Sequence, residues 1–459
     1  MGGGVRAALR PGPRRLRHPD PHPEGVLPLA AGRAAGPAVT PGAGPAVAAP
    51  DALAEPAEPV GAGWTGALSL ANGALWVGWF GPLQILLALQ AAELAPPGTA
   101  KESVLAWVTG AGAAVALAAT PVFGAVSDRT AGRFGRRRPW LVAGVLGGAG
   151  GHVLLATAGT WQLMLLGWCL VQLALSAAFA ALTAAVPDRV PRRQRGAVGG
   201  WLGVAQILGV LAGTGLATLA GGVTAGYLAC AAFTLLAPLP YVLLHRDAVL
   251  PADRRPPFSW RAFLYGFRLS PRRHPDLAWA WLTRFLINLG NSLVLLYLLY
   301  YLRDALHHPD PENGVLLLTA VNGALLLATV VVSGHWSDRT GRRKPFVLGA
   351  GVLMTAATAL LAGWQTWPGA LVAAALLGIG FGVFTSVDFA LMTDVLPAAA
   401  DRGKDLGIIN IANSLPQVVA PALAAPVVRY LGGYPALYLT AAAIGLAGAL
   451  FVRRIRGVA

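Results

Sequence analysis

Long apolar stretches, each of about 18 residues or more and nearly free of charge, make up most of this chain. Each is long enough to cross the roughly 30 Å hydrocarbon core of a bilayer at about 1.5 Å per residue. Because lipid offers the backbone no hydrogen bonds, a stretch that crosses it has to be a helix. With 55% hydrophobic residues, 12% charged residues and a mean hydropathy of +0.59, the chain is predicted to be an all-α membrane protein.

The apolar stretches divide the chain into two sets of six. Twelve spans are predicted, at roughly 66–90, 103–126, 139–158, 161–186, 197–220, 224–245, 277–301, 314–336, 346–363, 367–395, 406–429 and 434–452. Residues 1–63 are rich in Gly, Pro, Ala and Arg, which predicts a disordered cytoplasmic tail. Residues 64–245 and 276–459 are then the two six-helix halves, joined by a polar cytoplasmic linker at 246–275.

The basic residues predict how the chain is oriented. With the N-terminus inside, the tail, alternate loops, linker and C-terminus hold 31 of the 35 Lys and Arg residues. The other four are Lys101, Arg303 and Arg429 near the opposite face, and Arg284 within a span. This asymmetry satisfies the positive-inside rule, so both termini are expected in the cytoplasm, below the cell's inner or plasma membrane. It also accounts for most of the net charge of +15, so no nucleic-acid partner is expected.

The two halves repeat each other in sequence. Residues of the same type recur at offsets between 206 and 210: Asp128 and Asp338, Arg195 and Arg402, Trp161 and Trp367. Two six-helix halves in parallel repeat are the plan of one large class of secondary transporters. The repeat therefore predicts a protein that moves a small solute through the lipid bilayer, and we expect it to be monomeric.

A compact basic segment stands at the same place in each half. It reads SDRTAGRFGRRRPW at 127–140 and SDRTGRRKPF at 337–346, between the second and third helix. Each copy ends in a proline suited to the first turn of a helix. The pattern resembles the loop signature of the major facilitator superfamily, G-x-x-x-D-R-x-G-R-R/K. The residue spacing of the first copy resembles that of the glycoside–pentoside–hexuronide cation symporters and the related sucrose–proton symporters. The segment GKDLGIINIANSLPQ at 403–417 is similar to helix eleven of the sucrose transporters.

The resemblance implies the major facilitator fold and a gating role for the basic segments. Asp128 and Arg129 would form ion pairs with Asp338 and Arg339 when the central cavity faces outward, holding the cytoplasmic ends together. The other motif positions assigned to this gate are Gly124, Gly135, Arg136, Gly341 and Arg342. The alternative is that the arginines only anchor the loops on the cytoplasmic side, which explains most of the run Arg136–Arg138.

Polar side chains inside the spans are the candidates for binding the solute or coupling its movement to an ion. Their positions near the middle of the bilayer fit the sites of such transporters. The set comprises Arg284, Asn288 and Asn291 on helix seven, Asp388 on helix ten, Asn410, Asn413 and Gln417 on helix eleven, Trp79 on helix one and Gln206 on helix five. Arg284 and Asp388 lie at matching depths, about 12 Å from the cytoplasmic face, and we predict that they pair. Such a pair is either architectural or part of the coupling mechanism.

The coupling ion is predicted to be a proton, if there is coupling at all. Family members of the glycoside symporter type carry acidic cation ligands in helix two, whereas this helix, residues 103–126, contains no acid. Protons would then use Asp388, Glu93 or His152. For His152 the alternative is a packing role inside the first half, and for Glu93 an interfacial position.

Three function hypotheses follow. The first is a secondary transporter of a small glycoside, such as a disaccharide, driven by protons through alternating access. The second is a proton-driven exporter of drugs or metabolites on the same fold. The third, a membrane enzyme or receptor, is disfavoured because the chain has no HExxH, GxSxG or paired Cys/His constellation. Its two cysteines, Cys169 and Cys230, lie in separate apolar stretches, so no metal site and no cofactor is expected.

Overall fold

The structure is a computed structural model that describes residues 1–2, 56–245, 247, 249–250, 259, 261, 275–340, 342–395 and 402–456. Side chains are outside this description at 192, 331, 334–335, 338, 389–390, 392–395 and 402–410. The predicted tail at 1–63 and linker at 246–275 therefore lie almost entirely outside the described residues.

Six helices form the first half. They are α1 (Ala62–Leu94), α2 (Lys101–Asp128), α3 (Arg138–Ala156), α4 (Trp161–Arg189), α5 (Arg192–Leu219) and α6 (Val223–Leu244). Helix α1 contains one π-helical turn at Pro82–Leu86. Pro139 takes the first turn of α3, where a missing N–H breaks no helical hydrogen bond.

Six more helices form the second half. They are α7 (Pro275–Leu296, continued by Leu298–Ala305), α8 (Pro311–Thr340), α9 (Lys344–Gly363), α10 (Trp367–Val395), α11 (Arg402–Tyr430) and α12 (Gly433–Phe451). The two pieces of α7 meet at an angle of 45°. Eleven helices are long and apolar enough to span a membrane singly, and the bent α7 makes twelve among the described residues.

The helices pair in the same way in both halves. Helix α3 packs on α4, α2 on α4 and α1 on α5, and the corresponding pairs are α9 with α10, α8 with α10 and α7 with α11. Glycines allow the close approach of α1 and α5, since a Cβ built on Gly213 would lie 2.9 Å from the backbone nitrogen of Gly81. The predicted fold class, an all-α membrane protein with two six-helix parallel repeats, is confirmed.

The outer surface of the helices is apolar, as expected of a surface that faces lipid. Large hydrophobic side chains are exposed along the spans, including Leu146, Leu166, Leu173, Leu208, Leu228, Leu243 and Leu439. In water such a surface would drive association, whereas hydrocarbon solvates it. We name the side on which α1 begins and α2 ends the basic face, and the side on which α1 ends and α2 begins the distal face.

Candidate functional site

Four polar side chains from three helices of the second half form a central polar cluster: Arg284 and Asn288 of α7, Asp388 of α10 and Asn413 of α11. Arg284 Nη1 lies 2.7 Å from Asp388 Oδ2, a contact close enough for an ion pair although Nη1 lacks hydrogen-bond geometry. Arg284 Nε donates to Asn413 Oδ1 at 2.7 Å, and Asn288 Nδ2 donates to the same oxygen at 3.3 Å. The predicted pairing of Arg284 with Asp388 is confirmed.

Helix geometry places these groups at one depth. Arg284 follows the start of α7 by nine residues, and Asp388 precedes the end of α10 by seven. Because the two helices run in opposite directions, both groups lie about 10–14 Å from the basic face. Residues four apart share a helix face, which brings Asn288 beside Arg284. Asp388 is 3% exposed, so its charge depends on these neighbours.

The other candidates of the second half do not join this cluster. Asn291 lines a crevice between α7, α9, α10 and α12, next to Met354 and Thr358, and not the space beside Asn413. Asn291 follows Arg284 by two helical turns, so it lies on nearly the same face of α7 but closer to the distal end. Gln417 is exposed, and the side chain of Asn410 lies outside the described residues.

An aromatic cluster occupies the corresponding place in the first half: Trp76, Trp79 and Phe80 of α1 with Phe179 of α4. Trp79 meets Trp76 and Phe179 edge-on, with ring centroids 5.6 and 5.7 Å apart. The Nε1 donors of Trp76 and Trp79 are buried without a hydrogen-bond partner, so both remain available to an acceptor. Gln206 of α5, the other candidate of the first half, is exposed.

The internal repeat relates the aromatic cluster to the polar one. Trp76 and Arg284 are 208 residues apart, as are Phe80 and Asn288, and Phe179 and Asp388 are 209 apart. These offsets fall within the range of the repeat itself. Equivalent positions of α1 and α7, and of α4 and α10, therefore carry apolar rings in one half and hydrogen-bonding groups in the other. The two halves therefore carry unlike clusters at equivalent positions.

Contacts between the two halves hold the distal face together. Lys101 Nζ of α2 contacts Asp304 Oδ2 of α7 at 2.7 Å, and Tyr434 of α12 donates to the same carboxylate oxygen at 2.7 Å. Tyr300 Oη donates to the carbonyl of Ala88 at 2.6 Å. Two more hydrogen bonds join the halves: Tyr297 donates to the carbonyl of Glu102, and Thr319 donates to the side-chain oxygen of Gln84. We call the Lys101–Asp304–Tyr434 group the distal latch.

The halves separate toward the basic face. A Cβ built on Gly323 of α8 would lie 3.2 Å from Ile207 of α5, so the two helices touch there. Further along the same face of α5, a Cβ on Gly203, Gly200 or Gly196 would meet nothing within 4 Å. Trp201 and Trp336, near the basic ends of α5 and α8, are 61% and 62% exposed. Among the described residues, the polar contacts between the halves therefore lie at the distal face, and the glycine positions toward the basic end of α5 meet no neighbour.

The first basic segment folds into an ion-pair network within the first half. Arg137 contacts Asp128 at 2.5 Å and Asp188 at 2.8 Å, and Arg136 also pairs with Asp188. Burial alone would lower the pKa of the Arg137 guanidinium, but its hydrogen bond to Asp188 and the charges of Asp188 and Asp128 hold that pKa above its usual value. Arg137 Nη1 also donates to Ser127 Oγ at 2.6 Å.

This network corrects the prediction that topology alone explains Arg136–Arg138. Arg136 and Arg137 are 7% and 5% exposed, so they are structural ion-pair partners as well as positive charges on a loop. Asp247 accepts hydrogen bonds from the backbone N–H groups of Arg137 and Arg138, at 2.5 and 3.1 Å, and so caps the start of α3.

The glycines of the motif behave differently from one another. Gly135 has φ +88, a left-handed conformation, and a Cβ there would lie 2.6 Å from Asp247 Oδ2, so only glycine fits. Gly124, one of the motif positions assigned to the gate, meets nothing within 4 Å among the described residues.

The second basic segment shares one contact with the first. Arg343 Nη1 donates to Ser337 Oγ at 2.9 Å, as Arg137 does to Ser127. Arg339 and Arg342 are exposed, Arg129 donates to the carbonyl of Ala125 at 2.6 Å, and Gly341 and the Asp338 side chain lie outside the described residues. Asp128 pairs here with Arg137 of its own half, so the gate that joins the halves remains a proposal.

Several functional contacts were missed by sequence reasoning. Lys101 and Asp304 are 203 residues apart, and Arg136 and Asp188 are 52 apart. The available signal was the scarcity of charge, since Asp188 and Asp304 are two of only 20 acidic residues. A charge at the end of an apolar span needs a partner or water, but only the fold shows which partner it finds.

Comparison with known proteins places the fold in a family. The sequence matches the family profile described as Major Facilitator Superfamily over residues 68–323 and 280–458. The chain belongs to the major facilitator superfamily. It is a membrane transporter of this kind and not an enzyme.

Individual members of the superfamily are similar to parts or all of the chain. A 121-residue stretch is 34% identical to the Multidrug resistance protein MdtL of Shewanella oneidensis, covering 26% of this chain and 30% of that protein. The human organic anion transporter MFSD10 (TETRAN) superimposes with a TM-score of 0.65 at 17% identity, covering 86% of this chain and 100% of its own.

Two further transporter structures agree with this arrangement of helices. The nucleoside transporter NupG, solved as a mutant, has a TM-score of 0.69 at 13% identity and covers 85% of this chain and 98% of its own. A POT family transporter in complex with a thioalcohol-conjugated peptide has a TM-score of 0.68 at 12% identity, covering 85% and 95%. At these identities the likeness shows the fold alone.

Proposed function

We propose that the chain is a secondary transporter that moves a small glycoside, such as a disaccharide, together with protons. The observation that carries this proposal is the pair of unlike clusters at equivalent positions of the two halves, which would form two walls of one site between them. A sugar ring presents an apolar face of C–H groups and an equatorial rim of hydroxyls. The aromatic cluster suits the first, and the polar cluster suits the second.

The central polar cluster supports a way of coupling the solute to a proton. In the ionised state Asp388 attracts Arg284 and holds its guanidinium. A proton taken up by Asp388 removes that attraction, and the guanidinium and the Asn288 and Asn413 amides become available to solute oxygens. Proton and solute then bind together, which is the requirement for symport.

Alternating access supplies the movement in this proposal. The present conformation, closed by the distal latch, is the one that exchanges solute with the compartment at the basic face. By the positive-inside rule that compartment is the cytoplasm, in the inner or plasma membrane, with both termini inside. Rocking of the halves would open the distal latch and bring Asp128 and Arg129 toward Asp338 and Arg339 as the cytoplasmic gate.

The experiment is proton flux in proteoliposomes that contain the purified protein in a lightly buffered medium. Addition of sucrose, maltose or another disaccharide should alkalinise the external medium, saturate with sugar and disappear with a protonophore. D388N should abolish this signal, whereas D310N, which removes an exposed carboxylate at the distal face, should retain it. Silence of the wild-type protein across the sugar panel, with the protein folded, contradicts proton–glycoside symport.

A second candidate is a proton-driven exporter of drugs or metabolites, favoured by the partial match to Multidrug resistance protein MdtL. The aromatic cluster also suits a flat apolar solute, for which Trp79 and Phe179 would supply stacking surface. Everted vesicles under a proton gradient distinguish the two candidates. Accumulation of a fluorescent lipophilic dye, collapsed by a protonophore and absent in D388N, would establish the exporter in place of the symporter.

A further inference from the structure

His152 of α3 is completely buried and has both of its ring nitrogens next to carbonyl oxygens. Nδ1 lies 2.7 Å from the oxygen of Gly148, one turn earlier in the same helix. Nε2 lies 2.9 Å from the oxygen of Gly78 in α1. The second contact joins α3 to α1, and Gly78 directly precedes Trp79 of the aromatic cluster.

A neutral imidazole cannot satisfy both contacts. It has one N–H and one nitrogen lone pair, whereas a backbone carbonyl oxygen only accepts hydrogen bonds. In the neutral ring one of the two contacts would therefore place lone pairs against each other at hydrogen-bond distance. Only the imidazolium donates from both nitrogens. Both contacts are hydrogen bonds at the same time only when the ring carries a proton on each nitrogen.

The surroundings of His152 contain no acidic partner for that charge. In α1 the only ionisable side chain is Glu93, at the distal end, and α3 has none between Arg138 and His152. Helix α4 packs Leu175 and Val171 against the glycines next to His152. Its ionisable residues Asp188 and Arg189 lie at the basic end, and its Cys169 is half-buried.

Helix α6, which also packs against α3, has no acidic or basic residue between Val223 and Leu244, and its Thr234 lies next to Gly78. A proton on His152 is consequently held by the two carbonyl oxygens against the cost of burying a charge.

The proton affinity of His152 therefore depends on how closely α1 approaches α3. The approach is close because Gly78 has no side chain, and a Cβ there would lie 2.8 Å from Thr234 Oγ1 and 2.9 Å from Leu175 Cδ1. If α1 shifts and withdraws the Gly78 carbonyl, one acceptor is lost and the proton leaves. Movement of α1 would also carry Trp76 and Trp79, because all three residues belong to one helical turn.

We propose that His152 is a proton-binding site that links α1 to α3 and couples its proton to the position of the aromatic wall. Its proton is bound when the Gly78 carbonyl is in place and is released when α1 moves away. The link to solute movement rests on the proposed function, but proton binding itself does not. His152 acts through α1 and does not contact solute, so it is a positioning residue.

Solid-state NMR of the wild-type protein in bilayers tests proton binding without any solute. With histidine ring nitrogens labelled with ¹⁵N and glycine carbonyls with ¹³C, dipolar coupling selects His152, because among the described histidines only this ring contacts glycine carbonyls. Between about pH 5 and pH 8 the ring should change from two protonated nitrogens to one, and its coupling to Gly78 should weaken. A ring that keeps one protonation state throughout overturns the proposal.

Transport tests the coupling. H152Q keeps one donor for the Gly78 carbonyl but cannot take up a proton, and H307Q, at an exposed histidine near the distal face, is the matched control. Proton movement per solute should fall about twofold in H152Q, because Asp388 still carries its proton, with no change in H307Q. Proton movement in H152Q equal to that in H307Q overturns the coupling. If the wild-type protein moves no glycoside, the proposed function fails, while the NMR result still decides proton binding.

Discussion

At the scale of single residues, the buried Arg284–Asp388 pair holds the second half of the site together. Both charges lie within spans, where an unpaired charge is expensive, and each is the nearest opposite charge available to the other. Asn413 links the pair to Asn288, because its side-chain oxygen accepts hydrogen bonds from Arg284 and from Asn288. The pair is therefore both a packing element and the candidate coupling group.

Charge reversal separates these contributions. R284Q and D388N each leave one buried charge without its partner, at a cost on the order of 3–5 kcal/mol, and should lower the thermal unfolding temperature in detergent. The double variant R284D/D388R restores an ion pair and should recover most of that loss. If all three variants are destabilised equally, the contact does not stabilise the protein through charge.

Gly135 offers a second prediction at residue scale. G135A places a Cβ in a left-handed conformation and against the Asp247 carboxylate, and it should cost at least about 1–2 kcal/mol in thermal or denaturant unfolding. G132A in the same turn is the matched control, since a Cβ on Gly132 meets nothing within 4 Å. Equal stability of the two variants would show that the turn adjusts without loss.

At the scale of elements, the distal latch is expected to set the balance between the two conformations. K101M removes the ion pair between α2 and α7 and should increase opening of the distal face, measured as faster labelling of a cysteine placed at Gln84. The matched control is R303Q, because the Arg303–Glu312 pair lies at the same face but within the second half. Identical labelling of the two variants and wild type would exclude a latch role.

Hydropathy and helix length were sufficient to predict all twelve spans, with ends within about five residues of those observed. The predictions succeeded because each span has to satisfy its own backbone in lipid, which makes the element a local property of sequence. The bend in α7 after Leu296 was not predicted, because no proline marks it.

The site was predicted only where one helix face and one depth determined it. Arg284, Asn288 and Asp388 were found from spacing and depth. The neighbours of Asn291 in α9, α10 and α12 were not predicted, because they depend on how the helices rotate in the bundle. The partners of Arg136 and Arg137 were missed for the same kind of reason, since Asp188 approaches them only after α4 has packed on α3.

At the scale of the whole molecule, the repeat gives two similar halves in which the same helix pairs pack on each other. Among the described residues the halves meet through polar contacts at the distal face and through packing of α2 on α11 and of α5 on α8. Movement is therefore expected at the boundary between the halves, with α5 and α8 as one of the seams. The glycine face of α5 at 196–203 leaves room for the other half to close against it.

Paired distance measurements by electron spin resonance test this account most directly. In a background with C169A and C230A, one spin-label pair at W201C and W336C reports the basic face, and a second at E93C and D310C reports the distal face. We expect two populations in bilayers across pH and added disaccharide. The fraction of molecules with a short basic-face distance should equal the fraction with a long distal-face distance under each condition. Distances that vary independently, or a population that is long at both faces, would contradict alternating access between these two halves.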